Sequence, residues 1–210
     1  MKSQDILLLL KIISLHSDLM GKKLDAHIIE NDDEWADWDE KGLTPTYTEQ
    51  DHIESHFSVR SLAEYTGVSK SQISLSLNRM YDVGLAKTDR KLQIPKVNTK
   101  ALLEFITYGI KYVFPAKEGE VTRGIATSIA APVLKGKLMS SGQIPPIWPN
   151  SKGHTKGMSI EPLHPNIFQA VQQDGRLYAM LALIDAIRIG NSRERNLALD
   201  MLETIFKGVK

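Results

Sequence analysis

The chain has 210 residues, 24% of them charged, with a formal net charge of +1, and this is the composition of a soluble globular protein long enough for one or two domains. It contains no cysteine, which excludes disulfides and thiolate metal sites and suits a reducing cytoplasm. The longest early apolar run, Ile6 to Leu10, is too short to span a bilayer and lacks the cleavage pattern of a signal peptide, so a cytoplasmic protein with no membrane contact is expected.

Residues Ser3 to Met20 read as a helix, with Ser3 as a cap and Ile6, Leu7, Leu10, Ile13 and Leu19 at helical spacing. Leu8, Leu9, Ile12 and Leu15 widen the apolar surface nearly all round, which predicts burial on several sides, either in the core alone or in the core and against a second copy together. The segment 21–56 follows as an acidic insertion. Residues 25–56 hold eleven acids against Lys41 alone, a balance of −10, together with Trp35 and Trp38. The expectation is a surface insertion anchored by its tryptophans, and also a candidate surface for a protein partner through residues 25–56. Asp32, Asp33, Asp37 and Asp39 lack the glycine-punctuated spacing of a calcium loop.

His56, Phe57 and Ser58 are placed as a short first strand. Ser58 then caps a helix ending near Thr66, Gly67 permits a tight turn, and Val68 plugs the gap between two helices. Ser69 caps a second helix with Ile73, Leu77 and Met80 on one apolar stripe. Its other face carries Ser69, Lys70, Ser71, Gln72, Ser74, Asn78 and Arg79, side chains suited to base edges and phosphates in a major groove. Gly84 stops this helix. Leu85-Ala86-Lys87 and Leu92-Gln93-Ile94 alternate as two strands around Asp89, Arg90 and Lys91, and Pro95 ends the hairpin. Arg60, Lys87, Arg90 and Lys91 are the candidate phosphate contacts. Residues 57–100 hold eight bases against three acids, a balance of +5, as expected where the partner is a polyanion.

The runs SVRSLAEYTGVSKSQISLSLNRM and VGLAKTDRKLQIP resemble the winged helix–turn–helix family in its bacterial MarR-like form, over roughly a third of the chain. The resemblance implies a winged helix–turn–helix DNA-binding domain over 1–98. In it the helix 69–80 enters the major groove of double-stranded DNA, and the wing 85–95 contacts phosphate or the minor groove.

Thr99 caps a helix expected to run to about Val113, which resembles the helices by which MarR-like proteins form homodimers. Residues 114–165 are rich in Gly and Pro. Thr122 to Met139 is expected to hold a short, closely packed helix broken by Pro132. Ile144 to Pro149 is extended, with Ile147 and Trp148 inward, and Met158 starts a strand. The end is helical again: Ile167, Phe168 and Val171 on one face, then Leu177 to Ile189, then a last helix capped by Ser192, the final two forming an αα-hairpin. Residues 99–210 therefore read as a mostly helical dimerisation or regulatory region.

Catalytic patterns are absent: no Gly-rich phosphate loop, no H-E-x-x-H and no G-x-S-x-G occur. His154, Glu161 and His164 have neither helical nor strand ligand spacing, and Arg123, Arg188, Arg193 and Arg195 are an anion site only if they converge. No cofactor and no enzymatic activity are expected. The expected fold is mainly α with a small β wing, and the expected function is a DNA-binding transcriptional regulator, a repressor acting as a homodimer. The alternative is a protein-interaction or antitoxin-like module of a multi-component system.

Overall fold

A computed structural model of the chain describes residues 1–21, 53–137 and 144–208. The expectations for most of the acidic segment, with Trp35, Trp38 and its aspartates, fall outside the described residues. So does the end of the 122–139 stretch. Among the described residues the protein is mostly helical, with one two-stranded and one three-stranded sheet. No helix there is long and apolar enough to cross a membrane.

The first helix, α1 (Ser3–Leu19), is buried without a break from Asp5 to Ser17. Among the described residues its main neighbours are α3 (Val59–Thr66), α4 (Lys70–Asp82), β2 (Pro95–Val97) and α8 (Gly175–Ile189), and its all-round apolarity is buried within one chain. Ser3 is not the cap: Lys2 is the N-cap residue, and the Asp5 carboxylate accepts from the Lys2 backbone N–H at 2.6 Å. Lys11 and Ser14 on α1 both donate to Asp174 at 2.7 Å, which caps α8 (Gly175–Ile189) by accepting from the Leu177 N–H. One continuous apolar core therefore runs from the N-terminal helices through α1 into α8 and α9 (Ser192–Lys207).

The strand expected at His56, Phe57 and Ser58 is absent; His56 instead ends a helical turn, α2 (Ile53–His56). Phe57 is buried against His16, ring centroids 4.8 Å apart, and Ser58 caps the next helix. With His56 in the helical turn and Ser58 serving as an N-cap, no strand forms over 56–58. The hairpin forms, but its strands are β1 (Ala86–Thr88) and β2 (Pro95–Val97), registered Thr88 to Pro95 and Ala86 to Val97. The second strand thus starts where it was expected to end. Pro95 is tolerated as the first strand residue, and its carbonyl accepts from His16 Nε2 at 2.8 Å, pinning the hairpin to α1.

The helix after the hairpin divides at Gly109 into α5 (Thr99–Tyr108) and α6 (Ile110–Val113), capped by Asn98 rather than Thr99. The largest departure follows. Glu118–Ala126 is a strand, β3, where a helix was expected; it leads into a 3-10 turn at Ser128–Ala130. It pairs antiparallel with both β4 (Pro146–Pro149) and β5 (Thr155–Ile160), which also touch each other, closing a three-stranded barrel. Glycine makes that closure possible. A side chain at Gly124 would collide with the Trp148 carbonyl, and one at Gly157 with the Pro145 carbonyl. Ile147 and Trp148 point inward as expected.

The barrel is fastened to α8 by buried polar groups. Asp185 accepts from Trp148 Nε1 at 2.6 Å and Thr127 Oγ1 at 2.9 Å, while Arg188 donates to Asp185 at 2.7 Å and to the Phe114 carbonyl at 2.8 Å. Tyr178 donates to the Ala126 carbonyl at 2.6 Å. The last helices form the αα-hairpin, with Asn191 rather than Ser192 capping α9, in a capping box with Glu194. Trp148→Phe replaces the buried indole by a smaller aromatic ring and removes one donor from a buried carboxylate. It is expected to lower stability by about 1–3 kcal/mol in urea unfolding; an unchanged midpoint would show that the bond is idle.

Candidate nucleic-acid interface

Local chemistry places the helix pair. Ser58 Oγ accepts from the Ser61 N–H at 3.1 Å to start α3 (Val59–Thr66), and Ser69 Oγ accepts from the Gln72 N–H at 3.4 Å to start α4 (Lys70–Asp82). Between them Gly67 sits at φ 67°, in the left-handed region that ends α3. Its carbonyl accepts from Asn166 Nδ2 at 2.6 Å, so the turn is held by α7 (Ile167–Val171) and the residue before it. Val68 is buried in the turn, as its plug role requires.

Ile73, Ser76, Leu77 and Met80 form the inward face of α4. Ser71, Ser74, Leu75 and Asn78 are exposed along the opposite face, and Lys70 is exposed at its first turn. Two of the predicted contact residues are occupied elsewhere. Gln72 is half-buried, its side-chain oxygen accepting from Gln4 Nε2 at 3.0 Å. Arg79 turns toward α1 and grips Asp5 with one edge of its guanidinium, Nη2 to Oδ1 at 2.5 Å and Nε to Oδ2 at 3.2 Å, while Nη2 also donates to Ser76 Oγ at 2.9 Å. Gln4 Nε2 donates to the same Ser76 oxygen at 2.9 Å.

The N-terminal turn of α1 thereby fixes how α4 is rotated, presenting the 71–78 face outward. Burial pushes the Asp5 carboxyl up. The Arg79 hydrogen bonds, the Lys2 backbone N–H, the Ser76 hydroxyl and the Arg79 charge outweigh it and hold the group below the ordinary 3.8. Nothing local in the sequence marks this pair, since its partners lie 74 residues apart. The one signal is an acid, Asp5, in the first turn of a helix that is apolar nearly all round. Leu75 stands 50% exposed in the middle of the outward face.

The remaining cations lie on α3 and on the hairpin. Arg60 is exposed on α3, Lys87 on β1, and Arg90 and Lys91 in the loop between β1 and β2. That loop is ordered by Asp89, whose carboxylate accepts from the Lys91 N–H at 2.9 Å and the Leu92 N–H at 3.1 Å. The Leu92 and Lys91 backbone bonds hold that carboxyl below its usual range. The Gln93 side chain closes the loop by donating to the Arg90 carbonyl at 3.0 Å. At the other end, burial lowers the His16 pKa, keeping the ring that supports Pro95 neutral.

Residues considered for other chemistry are not gathered. His164 accepts from the Asn166 N–H at 3.1 Å in a turn, Arg188 is consumed by Asp185 and backbone carbonyls, and Arg123 lies opposite Lys156 on the β3–β5 ladder. No family model matches the chain, and neither a curated protein nor a solved structure matches it.

Asp5→Asn removes the charge that Arg79 grips and is expected to cost about 1.5–3 kcal/mol at pH 7. Because folding lowers the Asp5 pKa, its contribution is present above the unfolded value of 3.8 and is lost as pH falls through the folded value. The stability gap between wild type and Asp5→Asn, read by denaturant unfolding, therefore narrows below pH 3.8. A gap constant down to pH 2 would contradict this assignment.

Proposed function

We propose that this protein is a sequence-specific DNA-binding transcriptional regulator of the winged helix–turn–helix type, acting as a homodimeric repressor. The observation that carries the proposal is the outward face of α4. Ser71, Ser74 and Asn78 stand exposed on one side of a rigidly oriented helix. The exposed cations Lys87, Arg90 and Lys91 sit on the hairpin that follows directly. Short hydrogen-bonding side chains suit base edges, and cations on a hairpin suit phosphate. In this reading α4 enters the major groove, the hairpin is the wing, and repression follows from exclusion of other proteins from the operator.

The dimer in this reading forms through the outer side of α5 and α6. Tyr108 is 77% exposed and Tyr112 81%, with Val113 beside them, a concentration of large apolar groups unusual on a surface with no partner. The same helical stripe carries Glu104 seven residues before Lys111, which makes it self-complementary in charge when two copies pair antiparallel. A two-fold dimer would read half-sites about 34–36 Å apart. The alternative, a protein-interaction module, rests on the acidic segment 25–56 and predicts no preference for any DNA.

Binding to genomic fragments, the protein's own promoter region included, is expected to fall steeply with salt. Arg90→Ala and Lys91→Ala should weaken all sequences alike and each reduce the log–log salt slope by about 1. Asn78→Ala should instead relax the choice of sequence. Absence of any preferred fragment would sink the proposal. Tyr108→Glu/Tyr112→Glu is expected to convert a dimer into a folded monomer in analytical ultracentrifugation; a double variant that still sediments as a dimer would exclude this surface.

A further inference from the structure

We infer that α4 selects A·T base pairs, with Leu75 reading the thymine methyl group and Asn78 the neighbouring adenine. The inference rests on the DNA-binding reading above and adds to it the chemistry of the target. Leu75 lies at the centre of the exposed face, flanked by Ser71, Ser74 and Asn78. It is half exposed, and it belongs neither to the apolar core nor to the partly buried residues packed against it. A large aliphatic side chain there is not part of the apolar core. In the major groove the only apolar feature that a base edge presents is the C5 methyl of thymine.

The second half of the argument is what this face lacks. Guanine is most often read by a bidentate arginine, and the only arginine in α4 is Arg79. The Nε–Nη2 edge of Arg79 is committed to Asp5, and Nη2 also to Ser76, which turns the guanidinium toward α1. Asn78 stands one turn after Leu75, exposed, with the paired donor and acceptor that match adenine N7 and N6. Beyond the first turn, where Lys70 stands, the outward face thus offers a methyl contact and an adenine contact and no free guanidinium.

The test uses the full chain. Sites are enriched from a random duplex pool, and each thymine of the enriched core is then replaced singly by deoxyuridine, which removes the methyl group and leaves the pairing edge intact. The enriched core is expected to contain adjacent A·T pairs. At one or two thymines per half-site the loss of the methyl should weaken wild-type binding about fourfold. Leu75→Ala, a change at an exposed position, should bind the thymine and uracil duplexes equally. A core of G·C pairs, the lack of any thymine whose methyl matters, or the same methyl sensitivity in Leu75→Ala would overturn the inference. If no sequence is enriched at all, the DNA-binding reading itself fails, and this inference falls with it.

Discussion

The burial of α1 is the constraint on which the other elements depend. An apolar helix with no wet side must be covered on every face, and α3, α4, β2 and α8 are the elements that cover it. Each fully buried Leu or Ile contributes about 1.5–3 kcal/mol relative to exposure, so this one helix carries a large part of the driving force. It also transmits position. Its N-terminal turn holds α4 through Gln4 and Asp5, its middle holds α8 through Lys11 and Ser14, and its last turns hold the hairpin through His16.

That arrangement explains why an ion pair is kept so close to the candidate interface. The Asp5 side chain is fully buried and that of Arg79 is 29% exposed, so the pair is desolvated on one side only, and two further groups complete it, the Lys2 N–H on Asp5 and the Ser76 hydroxyl on Arg79. A pair of this kind adds modest net stability but strongly penalises any other rotation of α4. A helix free to rotate by one residue would bring Leu75 toward the core and Leu77 toward water. The Asp185–Arg188 pair does a related job in the other half. Burial pushes the Asp185 carboxyl up, and Arg188, Thr127 and Trp148 counter it, which makes the seat of the barrel on α8 specific rather than merely apolar.

The helices were legible in the sequence because their signals are local. The caps Ser58 and Ser69, the glycine at 67 and the stripe Ile73, Leu77, Met80 each act within a few residues, and each is found where expected. The barrel was illegible for the opposite reason. Gly124 and Gly157 look like breakers in one dimension, yet their role is to let strands pass within touching distance of carbonyls far away in the chain. The second hairpin strand was misplaced by three residues because Asp89 organises a longer loop than the alternating pattern implied. In the candidate interface, residue types were readable but directions were not. Ser71, Ser74 and Asn78 point outward, whereas Gln72 and Arg79 are claimed by α1, a contact that no local pattern encodes.

The claim that the outward face of α4 meets DNA has a direct physical test. The chain has no cysteine, so Ser74→Cys supplies a unique attachment point for an iron–EDTA cleavage reagent at the middle of that face. On an enriched duplex, the account predicts strand cuts clustered in the major groove of each half-site from the reagent at position 74, and only background cutting when the reagent is carried by Lys207→Cys on α9. Equal cutting from the two positions, or none from position 74 on DNA that the protein binds, would contradict it.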